Sequence, residues 1–204
     1  MKVPLIGLDR HRLTTDGAGV TTLVAFHGCP LRCRYCLNSR CWEPQGIWCE
    51  MDVDELLVRT QVDDLYFKAT GGGVTFGGGE PLLQADFIKA FATKCPPEWN
   101  ICLETSLHAP RHLLEVVLPY ISHYYIDIKD ANPDIYQRYT GRDLQLAWGN
   151  LLWLSEQGLQ QKVTVRLPLI PDYNTADDRE ESRRQLLALG FHDLDLFTYQ
   201  VSDK

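Results

Sequence analysis

Short apolar runs alternate with amphipathic stretches along most of the chain. The apolar runs are rich in β-branched and aromatic residues, which is typical of buried strands. They predict six strands, at Thr21–Phe26, Gly73–Phe76, Asn100–Glu104, Tyr124–Ile128, Lys162–Pro168 and Asp193–Tyr199. The amphipathic stretches predict helices at Asp52–Phe67, Leu82–Lys94, Pro110–Leu118, Pro133–Tyr139 with Leu144–Gln157, and Thr175–Leu189. Asp52, Pro110 and Thr175 are residue types that favour helix starts. Gly158 and Gly190 stand where helices should end.

Six strands that alternate with helices predict an α/β protein with a parallel sheet and helices outside it. Six units are too few for a closed eightfold barrel, so we expect a partial (β/α)6 barrel. A flat, doubly wound sheet is the alternative, because this pattern does not reveal the order of the strands. In both architectures ligands bind in the loops after the carboxyl ends of the strands. We expect residues 1–204 to form one domain, since no linker-like tract divides them.

Composition and charge narrow the class of protein. Hydrophobic residues make up 45% and charged residues 23%, which excludes a disordered chain or a coiled coil. A net charge of −7 argues against sequence-independent binding of nucleic acid. The apolar stretches are too short to span a membrane. Because Met1–Arg12 carries charges and no apolar run with a cleavage site, we expect a cytoplasmic protein with no membrane partner.

Cysteines concentrate in one segment. Five of the seven fall within 29–49, at positions 29, 33, 36, 41 and 49, whereas Cys95 and Cys102 stand apart. Thiols of a cytoplasmic protein stay reduced, so such a concentration indicates metal or redox chemistry rather than disulfide bonds.

The first three of these cysteines follow the first predicted strand with the spacing C-x3-C-x2-C. Thiols at Cys29, Cys33 and Cys36 can converge on one face of a metal cluster. A [4Fe–4S] cluster normally takes four thiolates, so three leave one iron with the open coordination site that catalysis needs. A structural zinc site with His27 or Cys41 as fourth ligand is the alternative, although no second paired unit follows in the sequence.

A glycine-rich turn, Gly77–Pro81, follows the second strand. Its glycines allow the backbone to approach a ligand, and Glu80 offers a carboxylate at the start of a helix. A tight turn with an acidic helix entry explains the same residues. A phosphate-binding loop does not explain these residues, because the Lys-Ser/Thr pair that such a loop requires does not follow the glycines.

Charged residues also stand at the ends of the later strands. Asp127 and Lys129 alternate with isoleucines and should project to one face of the sheet, where they need partners if that face is the interior. Arg166 lies within an apolar strand, where a guanidinium is costly without an anion. Glu104 ends the third strand, where a solvated strand-end acid is one explanation of the residue.

Four segments resemble the activating enzymes of glycyl radical enzymes, within the radical S-adenosylmethionine (SAM) superfamily. They are DGAGVTTLVAFHGCPLRCRYCLNSRCW, VTFGGGEPLLQADF, DIKD and VRLPLIPDYN, in the order and spacing of that family. Pyruvate formate-lyase activating enzymes are among the members that the chain resembles, and the resemblance runs from about Asp16 to Tyr199. It implies a partial barrel of the radical SAM type, with a catalytic [4Fe–4S] cluster on Cys29, Cys33 and Cys36.

The resemblance also implies that the chain binds S-adenosylmethionine. It places the methionyl amino group at Gly78, Gly79 and Glu80, and the cofactor's carboxylate at Lys129. Glu104 would contact the ribose hydroxyls or a nearby cation. The complete set of implied cofactor contacts is Tyr35, Leu37, Asn38, Gly78, Gly79, Glu80, Glu104, Asp127, Lys129 and Arg166.

The chain departs from the family pattern at several positions. Gly77 occupies a position where the family usually has a serine, Thr21 a position where it has an arginine, and Ala18 a position where it has a proline. Glu104-Thr105-Ser106 occupies the position of the family's Asp-Thr-Asn sequence. Gln200 stands where a histidine is usual, and the C-terminal segment of the pyruvate formate-lyase activating enzymes does not follow it.

The function implied by the resemblance is reductive cleavage of S-adenosylmethionine to a 5′-deoxyadenosyl radical, which would abstract a hydrogen atom from a glycine Cα of a partner glycyl radical enzyme. A flavodoxin or ferredoxin would donate the electron. A small molecule, a nucleobase or a peptide side chain is the alternative target of the radical. A zinc-stabilised module without catalytic activity is the alternative that is not an enzyme.

A chain that ends just after its sixth strand leaves the barrel open, which favours a protein substrate that closes the site itself. The cysteine loop together with Asp130–Arg142 is the alternative lid.

Overall fold

The computed structural model describes residues 1–13 and 16–200. Within them, eight strands form one sheet in the order β3-β1-β2-β4-β5-β6-β7-β8. The strands are β1 Val3–Leu13, β2 Val20–Phe26, β3 Cys49–Met51, β4 Gly73–Gly78, β5 Asn100–Thr105, β6 His123–Asp127, β7 Val163–Leu169 and β8 Leu194–Thr198. The helices are α1 Val53–Gln61, α2 Asp64–Thr70, α3 Ala85–Ala92, α4 Arg111–Val117, α5 Pro133–Thr140, α6 Gln145–Glu156 and α7 Ala176–Ala188.

The six predicted strands are confirmed as a parallel set. Strands β2, β4, β5, β6, β7 and β8 pair in parallel, each with the next one along the chain. A doubly wound sheet reverses its strand order at a switch point, and a barrel does not. The sequential order therefore favours the barrel, and β8 has one strand neighbour, which leaves the barrel open. The expected partial (β/α)6 barrel is correct.

Two antiparallel strands extend the sheet and were not predicted. Strand β1 pairs with β2, with Leu5 opposite Phe26 and Leu13 opposite Val20, and β3 pairs with β1. The first half of β1 is buried or half-buried, but its second half carries the charged run DRHR, which hides the alternation typical of a strand. Strand β3 has only three residues, too few for a periodic signal.

The helix predicted over Asp52–Phe67 is wrong in one respect, because the structure divides it into α1 and α2. Asp63, at the division, has no exposed surface. Its carboxylate accepts hydrogen bonds from Arg10 Nε at 2.7 Å and from Thr22 Oγ1 at 3.3 Å. These contacts hold the chain between the helices against β1 and β2, which overrides the local helical pattern.

The predicted helix starts are confirmed. Asp52 and Glu55 form a capping box at α1, and Thr175 and Asp178 form another at α7. Pro110 directly precedes α4. In the described ranges no helix is both long enough and apolar enough to cross a membrane.

Candidate active site

A cavity of about 660 Å³ opens at the carboxyl ends of the parallel strands. This volume lies within the range of small-molecule sites in proteins. The strand-end residues Gly78, Thr105 and Asp127 lie on its wall. So do most of the residues that the sequence singles out: Cys29, Cys33, Tyr35, Cys36, Leu37, Asn38, Gly78, Gly79, Glu104, Asp127, Lys129 and Arg166. The fold therefore brings the cysteine loop, the glycine turn and the later strand ends to one place.

The loop between β2 and Cys41, called here the cysteine loop, is anchored by backbone hydrogen bonds. Gly28 N donates to Cys41 O at 2.9 Å. On the other side, Arg32 N donates to Thr140 O at 2.8 Å, at the last residue of α5. Arg142 Nε adds a bond to the carbonyl of Pro30 at 3.0 Å. An irregular loop is thus fixed between its own C-terminal part and the end of α5.

The surroundings of the three thiols of the loop favour the protonated form of each. Burial raises the pKa of Cys33 to about 12 and also raises the pKa of Cys36. A hydrogen bond with Cys41, together with burial, raises the pKa of Cys29. A thiol in this state becomes a thiolate ligand when a metal takes the place of its proton.

The two glycines before Glu80 are required by the close approach of β2 and of the cysteine loop that follows it. A side chain at Gly79 would place its Cβ 2.1 Å from the carbonyl oxygen of Gly28. Gly78 has φ +88°, a conformation that disfavours other residues, and a Cβ there would lie 2.8 Å from Ala25 Cα. Glu80 N also donates to Gly28 O at 2.8 Å. The glycine turn is thereby locked to the start of the cysteine loop.

Glu80 lies beneath the cavity wall, with 1% of its surface exposed. Its carboxylate accepts hydrogen bonds from Thr105 Oγ1 at 2.5 Å and from Ser106 Oγ at 2.6 Å. The backbone N–H groups of Ser106 and Leu82 donate to it as well, at 3.0 and 3.2 Å. Burial raises the pKa of Glu80, against the effect of these donors. Glu80 therefore ties the end of β4 to the end of β5, and Thr105 and Ser106 form part of the cavity wall.

Charged side chains at the strand ends are paired within the protein. Arg166 Nη1 lies 2.8 Å from Glu104 Oε1, and the guanidinium also packs over the ring of Tyr125, 4.8 Å from its centre. The anion that the sequence requires for Arg166 is thus Glu104. Burial raises the pKa of Glu104, and the charge of Arg166 opposes that change.

The predicted common face of Asp127 and Lys129 is confirmed, because both line the cavity. Lys129 Nζ lies 3.4 Å from Asp127 Oδ1 and donates to Tyr199 Oη at 3.2 Å. Burial opposes the charge of Lys129, but Asp127 and Tyr199 raise its pKa well above the usual value. The ammonium is therefore a fixed positive charge on the wall.

Gly77 gives Glu104 the room it occupies. A Cβ at position 77 would lie 3.0 Å from Glu104 Oε2 and 3.2 Å from Glu104 Cβ. The chain thus combines the smaller residue at 77 with the longer carboxylate at 104, the two neighbouring departures from the family pattern noted above.

Several residues of the cavity wall were not predicted from the sequence. Arg12 and Asp16 reach the cavity from β1 and the segment after it, and Asp195, Phe197 and Tyr199 reach it from β8 and its end. Arg12 pairs opposite Thr21 in the β1–β2 register, so both side chains lie on the same face of the sheet. Arg12 therefore supplies a guanidinium on the face where the family pattern has an arginine at position 21. With β1 itself unpredicted, no signal could have found it.

Comparison with known proteins decides the family. A family model described as the radical SAM superfamily matches residues 23–186. The chain belongs to the radical SAM superfamily. It is a radical SAM enzyme, and membership implies an iron–sulfur cluster and S-adenosylmethionine.

The curated relatives include activating enzymes of glycyl radical enzymes. The (2S)-3-sulfopropanediol dehydratase activating enzyme of Klebsiella oxytoca is 34% identical, over 78% of this chain and 69% of that enzyme. The pyruvate formate-lyase 1-activating enzyme of Escherichia coli K12 is 31% identical, over 81% of this chain and 67% of that enzyme. The resemblance found in the sequence is confirmed.

Solved radical SAM structures share the fold. Streptococcus suis SuiB bound to the precursor peptide SuiA aligns with a TM-score of 0.64 at 14% identity. The alignment covers 84% of this chain and 37% of SuiB, so the chain spans well under half of that protein's length. The likeness concerns the partial barrel alone.

The residues present fit the groups that the superfamily implies. Three thiols on one loop face one cavity, and soft thiolates are the ligands that iron–sulfur clusters take. In the part of the chain that the structure describes, no three His, Cys, Asp or Glu side chains are grouped closely enough to hold a single metal ion. His27 bonds through its ring nitrogen Nε2 to the carbonyl of Glu43 at 2.9 Å, and it is not among the residues that line the cavity.

Proposed function

We propose that this radical SAM enzyme activates a partner glycyl radical enzyme by abstracting a hydrogen atom from a glycine Cα. The observation that carries the proposal is that the cysteine loop, the glycine turn and the charged strand ends share one cavity. The two curated relatives named above are activating enzymes of this kind, which supports the choice of partner.

In this proposal Cys29, Cys33 and Cys36 hold a [4Fe–4S] cluster at one iron each. When bound, the cluster and S-adenosylmethionine supply a 5′-deoxyadenosyl radical after one electron arrives from a flavodoxin or ferredoxin. The protein's own task is to fix the three thiols, which is supported by the hydrogen bonds that loop N–H groups donate to the carbonyls of α5 and Cys41.

Binding of S-adenosylmethionine is assigned to the rest of the wall. The ammonium of Lys129 is a partner for the cofactor's carboxylate, and backbone oxygens at Gly78 and Gly79 are acceptors for its amino group. Asn38 Nδ2 donates to Gly78 O at 3.3 Å, which links the cysteine loop to the glycine turn. Tyr35 and Leu37 line the cavity beside it, where the adenosyl group would lie.

The ion pairs Glu104–Arg166 and Asp127–Lys129 lie at the strand ends and position groups for cofactor binding. Glu104 is an acceptor for ribose hydroxyls, and Arg166 holds its carboxylate in place from 2.8 Å away. Asp127 plays the same positioning role for Lys129. Glu80 acts through its neighbours, because its hydrogen bonds to Thr105 and Ser106 fix the wall at the end of β5.

Exclusion of water is the remaining requirement, since a radical in an open site would be quenched. Leu37, on the cavity wall, has 92% of its surface exposed, so the site communicates with solvent beside it. A loop of a protein substrate that enters there would cover the opening and bring its glycine Cα to the site. This supports a macromolecular target over a small molecule.

The test is formation of a glycyl radical on the partner. The anaerobically reconstituted protein is incubated with S-adenosylmethionine, a reductant and a glycyl radical enzyme from the same organism. The proposal predicts a stable glycyl signal in electron paramagnetic resonance (EPR) that requires all of these components. Consumption of a metabolite with 5′-deoxyadenosine formation, while each such partner stays silent, would replace it by a small-molecule enzyme. Stoichiometric zinc without iron would replace it by a structural module.

A further inference from the structure

The cysteine loop carries an excess of positive charge on the side away from the cavity. From Cys29 to Trp42 the chain has three arginines and no acidic residue, although its net charge is −7. Arg32 and Arg34 flank Cys33, and both are exposed. Their backbone N–H groups donate to carbonyls at the end of α5. Cys33 lines the cavity and neither arginine does, so the loop presents a thiol to the cavity and two guanidinium groups to solvent.

Two further arginines, at the end of α5 and just after it, join this surface. Arg138 and Arg142 are both exposed and lie off the cavity. Arg142 Nε donates to Pro30 O at 3.0 Å. Arg138 donates to Tyr173 O, and the ring of Tyr173 lies 5.9 Å from the ring of Tyr35, between centres. The four exposed arginines, called here the basic patch, are Arg32, Arg34, Arg138 and Arg142.

The basic patch differs from other arginines of the chain in its lack of carboxylate partners. Arg10 pairs with Asp63 at 2.6 Å and Arg183 with Glu180 at 2.7 Å. Among the residues that the structure describes, no member of the patch forms an ion pair. Nearby carboxylates accept hydrogen bonds from other groups, namely Asp143 from Gln145 N, Asp172 from Tyr35 Oη and Asp178 from Thr175. The four positive charges are thus available to an acidic partner.

We propose that the basic patch is the docking surface for an acidic one-electron donor protein. Opposite charges on the two surfaces would steer the donor to this face and orient it there. Consecutive Cα atoms are about 3.8 Å apart, so a donor that contacts Arg32 and Arg34 is one residue away from Cys33. One electron passes from the reduced donor to the oxidised cluster, and no covalent bond forms or breaks. This inference rests on the proposed function, because it needs the cluster on the cysteine loop.

The patch and the cavity opening are separate surfaces. Leu37 lines the cavity where it opens to solvent, whereas the four arginines are not part of the cavity wall. A donor on the patch therefore leaves the opening free for a loop of the glycyl radical enzyme. Reduction of the cluster and binding of the substrate protein do not compete for one site.

The first experiment measures binding with both proteins oxidised, so that no electron is transferred. The cluster-loaded protein is titrated calorimetrically with a flavodoxin and with a ferredoxin of the same organism, each of negative net charge. The affinity should fall as the salt concentration rises, because exposed charges are screened. Arg34→Glu should bind the donor about 3- to 10-fold more weakly, since reversal removes one exposed ion pair and adds a repulsion of similar size. Arg34→Lys keeps the charge and should match the wild type.

Arg111→Glu is the matched control. Arg111 is exposed on α4, lies off the cavity and has no ion pair within the described part of the chain. Its reversal changes the net charge as much as that of Arg34 and should leave the affinity for the donor unchanged. Arg138→Glu, outside the cysteine loop, should weaken binding as Arg34→Glu does. It decides the test if Arg34→Glu takes up less iron.

The second experiment measures reduction of the cluster by EPR. At low salt the reduced donor should reduce the cluster more slowly in Arg34→Glu than in the wild type, while excess dithionite should reduce the same fraction in both. Wild-type affinity in Arg34→Glu and Arg138→Glu, an equal loss in Arg111→Glu, or no binding of either donor overturns the inference. So does a loss of glycyl radical formation in Arg34→Glu under dithionite, which would assign the patch to the glycyl radical enzyme. A wild-type protein without a cluster would instead refute the proposed function.

Discussion

The cysteine loop and the charged strand ends are two parts of one cavity wall, and they differ in how complete they are. At the strand ends, Arg166 pairs with Glu104 and Lys129 with Asp127, so the charges are balanced within the protein. On the loop, burial raises the pKa of Cys33 to about 12, and in the proposed function a metal takes the place of the thiol proton. The charged groups at the strand ends are already paired by the fold. The thiols of the loop are held in place, but in the proposed function they still have to lose their protons to a metal. Substitutions in the two parts should therefore fail in different ways.

The largest effect is expected from a substitution in the cysteine loop. Cys33→Ala removes one of the three proposed ligands and should reduce bound iron from about four per chain to nearly none. Its fold should survive, because the loop is held by backbone N–H groups of Arg32 and Arg34 that donate to carbonyls at the end of α5. Iron and sulfide analysis after anaerobic reconstitution, with circular dichroism for the fold, measures both. Cys95→Ala is the control, since the Cys95 thiol donates to Ala92 O at the end of α3 and the residue lies off the cavity. Equal iron in both variants would contradict the assignment of the loop.

Substitutions of Glu80 test whether the fixed strand ends are needed for cofactor binding. Glu80→Ala should retain iron but bind S-adenosylmethionine about 10- to 100-fold more weakly, because hydrogen bonds to a charged group are worth about 1.5–3 kcal/mol. Glu80→Gln should lose less, since its amide oxygen still accepts a hydrogen bond from Thr105 or Ser106. Isothermal titration of the cluster-loaded proteins measures the affinities. Unchanged affinity in both variants would mean that the end of β5 does not shape the binding site.

The pair of Glu104 and Arg166 predicts a pH dependence of stability. Burial raises the pKa of Glu104 to about 7 from a usual value of 4.5, so the folded protein binds a proton that the unfolded chain has released. The free energy of unfolding should therefore decrease as the pH rises from 4.5 to 7. Glu104→Gln should remove about 1–3 kcal/mol of this decrease.

Urea unfolding of the cluster-free protein at pH 5 and pH 7.5 measures this difference. Glu115→Gln, at an exposed position of α4, changes the net charge equally and is the control. If the stability of Glu104→Gln changes with pH as much as that of the wild type, the carboxyl is not held at a raised pKa.

The smallest effect concerns two leucines of the cysteine loop itself. Leu37 is 92% exposed, and Leu37→Ala should change the free energy of unfolding by less than about 0.5 kcal/mol. Leu31 is 2% exposed, and Leu31→Ala should cost about 2–5 kcal/mol. Urea unfolding compares them. A large loss in Leu37→Ala would show that the exposed end of the loop is packed in solution.

What the sequence could predict follows the same division. The three cysteines that line the cavity could be singled out because they lie close together in the chain, where their spacing carries the information. The parallel strands were identified by their apolar runs. Arg12 was missed because β1 has a charged second half, and Glu104 was not matched to Arg166 because their pairing depends on three neighbouring strands. The positioning role of Glu80 was missed for the same reason, since its partners Thr105 and Ser106 lie on another strand.

The central claim is that this cavity carries out radical SAM chemistry. The most direct test incubates the anaerobically reconstituted protein with S-adenosylmethionine and dithionite and measures 5′-deoxyadenosine by liquid chromatography. The account predicts 5′-deoxyadenosine and methionine in equal amounts, with none from Cys36→Ala. A protein that contains the cluster and binds S-adenosylmethionine, yet forms no 5′-deoxyadenosine under reduction, would contradict it.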